Sequence, residues 1–187
     1  MDEITARILG HLIGDGGVSA RYYRMYYTNS NEKLIKEYCS LLKKRKIPFF
    51  LYTHKTVKTV VTYRKKYALE FLRYGGCEAK NKYISASVLN SKRSIRICVL
   101  DSILKDEGRR VSVNRVQFAT TKKKFMSTLL KLIKSLEIEV KKTYCYKREK
   151  YTQYIITLSL SDLKKCGIYY YWEKMPLPEK RSSILSV

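Results

Sequence analysis

Ile8-Leu9-Gly10-His11-Leu12-Ile13-Gly14-Asp15-Gly16 has an echo in Leu100-Asp101-Ser102-Ile103-Leu104-Lys105-Asp106-Glu107-Gly108. Each stretch is a helical run closed by an acidic residue and then glycine. Asp15 and Glu107 stand 92 positions apart in a chain of 187 residues, so each half carries one acid. Small residues recur on one stripe of each run: Ala6, Gly10 and Gly14 in the first, Cys98, Ser102 and Asp106 in the second. Small side chains at this spacing let two helix backbones approach closely, and their presence in both copies predicts that the helices pack on each other. The acids close the helices, where the macrodipole is already negative, at a cost of about 0.3–1 kcal/mol each. Parallel packing brings the two carboxylates together and adds repulsion. Two acids so placed call for a cation, and oxygen ligands suit Mg²⁺, with Mn²⁺ as a substitute.

The repeat extends outward from the motifs. Thr28 and Thr120 are also 92 apart, and each leads into an amphipathic helix. The expected apolar faces are Leu34, Ile35, Tyr38, Leu41 and Leu42, then Met126, Leu129, Leu130 and Ile133, at helical spacing. Two strand-like runs follow each helix, over 49–55 and 57–64, then 140–146 and 151–160. Short helices over 67–72 and 161–165 come next. The runs 18–27 and 110–119, directly after the motifs, read as hairpins. Residues 89–95 resemble 177–184, which places the boundary between halves 1–93 and 94–187. The fold class is therefore α+β: two pseudo-symmetric αββαββα halves, each with a four-stranded antiparallel sheet covered by helices on one face.

Thirty-nine Lys and Arg face 16 Asp and Glu, a formal charge of +23. The bases are spread along both halves, which predicts a folded basic surface and a polyanionic partner, nucleic acid ahead of an anionic membrane. No apolar run reaches the roughly 18–20 residues that span a bilayer. Met1-Asp2-Glu3 lacks the basic-then-apolar start of a secretory signal, so an intracellular protein is expected. Cys39, Cys77, Cys98, Cys145 and Cys166 form no CxxC pair, and His11 and His54 are the two histidines. That pattern points to reduced, mostly buried thiols and away from a zinc site or a disulfide framework. Metal, paired carboxylates and a basic groove together suggest metal-assisted hydrolysis of phosphodiesters.

On these motifs and the repeat around them, the chain resembles the LAGLIDADG homing endonucleases in their single-chain, two-motif form. The resemblance implies a monomeric, intron-encoded protein whose sheets form a saddle on double-stranded DNA with a long, non-palindromic target. It implies cleavage of both strands across the minor groove. Asp15 and Glu107 would be the metal ligands. Asn29 and Thr121 occupy the position of a polar residue that orients water, and Arg64 or Lys65 the position of a basic residue late in the fourth strand. Thr157 to Ser159 offer no basic counterpart, so unequal sites are expected. His11 and Lys105 depart from the family pattern, and His11 is expected at the helix interface. Strand alternation puts Ser19, Arg21 and Tyr23 on one face, with Arg24 on the same polar surface. In the second half Arg110, Ser112, Asn114 and Gln117 are expected to point outward, with Arg reading guanine and Asn or Gln reading adenine. An RNA maturase and a non-catalytic DNA-binding protein are the alternatives on this fold.

Overall fold

In the computed structural model, which describes residues 1–75, 78, 81–147 and 149–169, the repeat becomes two copies of one design. The first runs α1 (Glu3–Ile13), β1 (Gly16–Ser19), β2 (Arg24–Asn29), α2 (Glu32–Lys44), β3 (Phe50–His54), β4 (Val57–Tyr63) and α3 (Lys65–Tyr74). A single helical turn, α4 (Ala86–Leu89), precedes the second copy. That copy runs α5 (Arg93–Glu107), β5 (Arg109–Ser112), β6 (Arg115–Thr120), α6 (Lys123–Ser135), β7 (Val140–Lys147), β8 (Thr152–Ser159) and α7 (Leu160–Lys165). The two antiparallel sheets have matching orders, β1-β2-β4-β3 and β5-β6-β8-β7. Residues 177–184, which carry the expected end of the repeat, and Cys77 lie outside the described residues.

Local chemistry sets the helix starts. Asp2 caps α1 by accepting the Thr5 N–H at 2.7 Å, and Asn31 caps α2 by accepting the Lys33 N–H at 3.0 Å. The helices α2 and α6 each bury one face. In α2 this face is Leu34, Ile35, Tyr38, Leu41 and Leu42, as the spacing predicted. In α6 it is Phe125, Met126, Leu129, Leu132 and Ile133; Leu132 is buried where Leu130 was expected, and Leu130 lies at the margin. By contrast, α1 is buried almost all round, from Ile8 through Ile13, as befits a helix at the centre of a molecule.

What buries it is α5. The two helices pack in parallel, with Gly10 against Ser102 and Gly14 against Asp106. A Cβ at Gly10 would lie 2.6 Å from the Ser102 Cβ and 2.7 Å from the Val99 carbonyl oxygen. The stripe of small residues is thus a seam with no room for another methyl group. Each sheet turns one face to the helices, through Met25, Tyr27 and Val60 in the first half and Val116, Phe118, Ile156 and Leu158 in the second. The other face is open, and there Phe50, Tyr52 and Tyr63 are half exposed or more.

Two expectations about the hairpins need correction. The strands are shorter than the alternating pattern suggests: β1 stops at Ser19, so Arg21 and Tyr23 sit in the turn, Tyr23 with φ of 47°. In the second hairpin a bulge shifts the register between Arg110 and Ser112. One extra residue flips the faces of the strand. Arg109 therefore pairs with Gln117 on the open face, and Arg110 pairs with Val116 on the helix side. The Arg110 guanidinium folds back on its own turn, donating to the carbonyls of Ser112 at 3.2 Å and Val113 at 3.4 Å. Val113 is 60% exposed. The thiols are also less uniform than expected: Cys98 and Cys166 are buried, Cys39 is half-buried and Cys145 is exposed.

Candidate active site

The parallel packing of α1 and α5 delivers Asp15 and Glu107 to the same end of the central helix pair, where both helices hand over to their hairpins. Around Asp15 the side chains form a closed network. Asn29, the last residue of β2, donates from Nδ2 to the Asp15 carboxylate at 2.7 Å. The same amide reaches the Tyr27 hydroxyl at 3.3 Å. Tyr27 in turn donates to Asp106 Oδ1 at 2.7 Å. Asp106 Oδ2 accepts the backbone N–H of Asp15 at 3.4 Å. The first acid is therefore gripped through both its side chain and its main chain.

Asp106 is the hub, and it was legible only as a member of the small-residue stripe. Its side chain and that of His11 are fully buried, and His11 Nδ1 lies 3.0 Å from Asp106 Oδ1. A carboxylate only accepts, so the proton of that bond belongs to His11 Nδ1. The His11 ring also packs edge-on against Tyr27 and Tyr38. Its Nε2 is buried without a hydrogen-bond partner among the described residues. His11 is thus an interface residue, as expected, and one that ties the two motifs together by a hydrogen bond.

Glu107 is placed differently. Its side chain reaches solvent and makes no hydrogen bond among the described residues. Thr121, expected to support it as Asn29 supports Asp15, is exposed in the bend between β6 and α6. The neighbouring Thr120 hydroxyl is turned to its own backbone, accepting the Lys122 N–H. Arg64 and Lys65 also fall away from the acids. Tyr63, the residue before them, pairs with Arg24 at the start of β2, whereas Asn29 is at its end, roughly 17 Å off at the rise of a strand. Antiparallel pairing sends the end of β4 to the wrong end of β2. Lys65 instead covers the Tyr23 ring at 5.0 Å.

The basic group that does reach the acids comes from outside both motifs. Lys82, in the stretch before α4, donates from Nζ to the carbonyl of Gly14. Nothing in the sequence pattern marks it, because it is distant from both motifs along the chain. Burial is the main influence on the Asp15 carboxyl, and the charges of Asp106 and Glu107 add to it; together they push its pKa up to about 7, against the pull of Lys82 and His11. Burial likewise raises the Glu107 carboxyl; Lys82 draws it down and Asp106 raises it further. Burial, then the adjacent Asp106, keep the Tyr27 phenol protonated.

This donor set fits a hard divalent cation. Asp15 and Glu107 offer carboxylate oxygens whose charge is unfavourable as it stands, and Asp106 has its oxygens engaged by His11, Tyr27 and Asp15. Two protein carboxylates leave the remaining coordination positions to water and substrate, as is usual for Mg²⁺. No cluster of three or more acidic, histidine or cysteine ligands occurs among the described residues.

The fold has solved counterparts. The homing endonuclease I-DmoI, in complex with DNA and Ca, superposes with a TM-score of 0.66 at 18% identity, over 95% of this chain and 94% of that one. The chain has the LAGLIDADG fold. The N-terminal LAGLIDADG domain of DUF199/WhiA superposes with a TM-score of 0.58 at 14% identity, over 91% of this chain and 86% of that one. At such identities the likeness establishes architecture and leaves the chemistry to the site. No family model matches the chain. An uncharacterized protein of Methanocaldococcus jannaschii, MJ1054, is 25% identical over 185 residues, covering 89% of this chain. The chain spans about a fifth of the length of that curated relative. Within the described residues, no helix of this LAGLIDADG fold is long and apolar enough to cross a membrane.

The open sheet faces complete the picture. Ser19 pairs with Arg24 and Gln117 with Thr157, all on the uncovered side, and Asn114 is exposed in its turn. Ser112 pairs with Arg115 on that side as well. Bases lie on aromatic rings there, Arg24 on Tyr26 and Lys142 on Tyr144, each at 5.2 Å. Gln117 donates to the Tyr144 hydroxyl at 3.1 Å.

Proposed function

We propose that the chain is a divalent-metal-dependent endonuclease that cuts both strands of a long, non-palindromic DNA site as a monomer. The observation that carries this reading is the pair Asp15 and Glu107. Each is supplied by a different motif, both are set at one end of the α1–α5 seam, and the charge of Glu107 weighs on Asp15. A merely structural helix end has no use for such a pair; lysine there would favour the dipole. A divalent ion on these carboxylates, Mg²⁺ or Mn²⁺, would stabilise charge on a phosphate and provide an activated water. Asn29 fixes Asp15 and would help orient a water beside it. Ser19, Arg24, Arg109, Ser112, Asn114 and Gln117 would face the major groove, and most other bases would meet phosphates. Structures of I-DmoI with DNA and Mn support the pairing of this fold with both ligands in that protein. A single chain supplies both acids, so no second copy is needed. Its work on DNA would be inside the cell, and an intron is the natural home of its gene.

A supercoiled plasmid carrying the rejoined flanks of the reading frame tests this. Wild type should linearise it only with Mg²⁺ or Mn²⁺. Asp15→Asn and Glu107→Gln should each abolish cleavage, with DNA affinity kept. Binding without cleavage would overturn the nuclease reading in favour of a non-catalytic DNA-binding protein. Preference for structured RNA over the duplex would favour a maturase.

A further inference from the structure

Lys82 reaches the seam from outside both motifs. Lys105 is paired with Glu37 at 2.7 Å and Asp101 at 3.2 Å, Arg7 with Asp101 at 2.5 Å, and Lys58 with Glu32. Lys82 is anchored on a main-chain carbonyl, that of Gly14. Gly14 is the residue before Asp15, and it is packed against Asp106, the residue before Glu107. The anchor is therefore the point where the two motifs touch, and a half-buried ammonium there lies by both acids at once. An amine on a flexible four-carbon stem can leave a carbonyl for a phosphate without moving its backbone.

We infer that Lys82 is the basic residue shared by both cleavage centres: it offsets the repulsion of Asp15 and Glu107 in the metal-free protein and pairs with DNA phosphate once those carboxylates are loaded. The inference rests on the nuclease reading for its second half only. One cation would then stand where the pseudo-twofold relation asks for two. The ammonium holds the carboxylates ready without competing as strongly as a divalent ion. On loading, it stabilises charge at a phosphate, the role served by fixed cations in phosphodiester hydrolysis.

A double-mutant cycle on the full chain, free of metal, tests the first half. Lys82→Met should lower the Tm by about 2–4 °C in wild type, and by much less in the Asp15→Asn/Glu107→Gln background. Lys82→Arg should restore most of the loss. An equal drop in both backgrounds would mean that Lys82 merely ties down a carbonyl, and would overturn the inference. Titration with Mn²⁺ alone is the second readout: Lys82→Met should bind the ion about threefold to tenfold more tightly, since a competing charge is gone. Weaker binding would again overturn it. In cleavage, Lys82→Met should slow both strands alike, by about 10–100-fold at saturating metal. Slowing of one strand only would refute a shared role. Should wild type cut no DNA at all, the nuclease reading falls, while the cycle and the Mn²⁺ titration still decide where the Lys82 charge acts.

Discussion

Asp15 and Glu107 hold equivalent places in the repeat and live in unequal surroundings. Asp15 is held by Asn29 and by Asp106, and through Tyr27 those two holders touch each other. Glu107 reaches solvent with no hydrogen bond among the described residues, and its would-be helper Thr121 is exposed in a bend. The asymmetry arises from the second motif itself. Where the first has Gly14, the second has Asp106, and this larger side chain crosses the seam to serve the other half. The two halves share strand order, helix order and a close seam, and differ in the side chains around the acids, so that one half supports the other.

The largest test of that difference is Asp106→Ala. Removing one member of a buried charged network leaves His11 and Tyr27 without their acceptor, a loss of about 3–5 kcal/mol in urea unfolding. Replacing the whole network by His11→Leu, Asp106→Ala and Tyr27→Phe together should recover most of it. If Asp106→Ala alone costs nothing, the hub is not what joins the halves. Next comes the seam. Gly10→Ala should cost about 1–3 kcal/mol, because the new methyl meets a carbonyl and a Cβ that cannot both retreat.

A smaller and sharper contrast lies in catalysis. Asn29→Ala should slow the strand served by Asp15 about tenfold and let nicked plasmid accumulate, whereas Thr121→Ala should change the rate of neither strand measurably. Equal effects would erase the asymmetry. Smaller still is the stability of the metal-free protein. The Asp15 carboxyl titrates near 7 when folded and near 3.9 when unfolded, so the folded state holds a proton that the unfolded state has lost in between. Stability should therefore decline as pH rises from about 4 to about 7, and Asp15→Asn should remove that decline and add about 1 kcal/mol at neutral pH. Saturating Mg²⁺ should reverse the trend, since the ion prefers the ionised carboxylate. The faintest effect concerns the bulge. Arg109→Ala should reduce the log–log salt slope of DNA binding by about 0.9, and Arg110→Ala by clearly less.

Much of this molecule could be read without coordinates. Periods of 3.6 and 2 residues and hairpin turns act over a few neighbours, so the element order was legible from α1 to α7, apart from the single turn α4. The seam was legible too, because Gly10 and Gly14 recur at one helical spacing and have partners 92 residues on. Asp15 and Glu107 followed from their place at two helix ends. Longer segments were harder at their edges: Leu132 replaced Leu130 in the core of α6, since only the packed neighbours decide which flank of an apolar face turns inward.

Other features depend on register and on contacts between distant parts of the chain. A one-residue bulge exchanged Arg109 for Arg110 on the open face. The pairing of Tyr63 with Arg24 carried Arg64 and Lys65 away from the acids. Lys82 reached Gly14 across 68 residues. Sequence by itself set the repeat, the two-sheet α+β architecture, the packed motif helices and the two acids, because each is written in local spacing. Only the tertiary structure decided that Asp106 supports Asp15, that Glu107 lacks such a hydrogen-bonded support among the described residues and that Lys82 is their nearby cation. Those outcomes hinge on shifts of a single residue in register and on close approaches between remote segments, which no local pattern encodes.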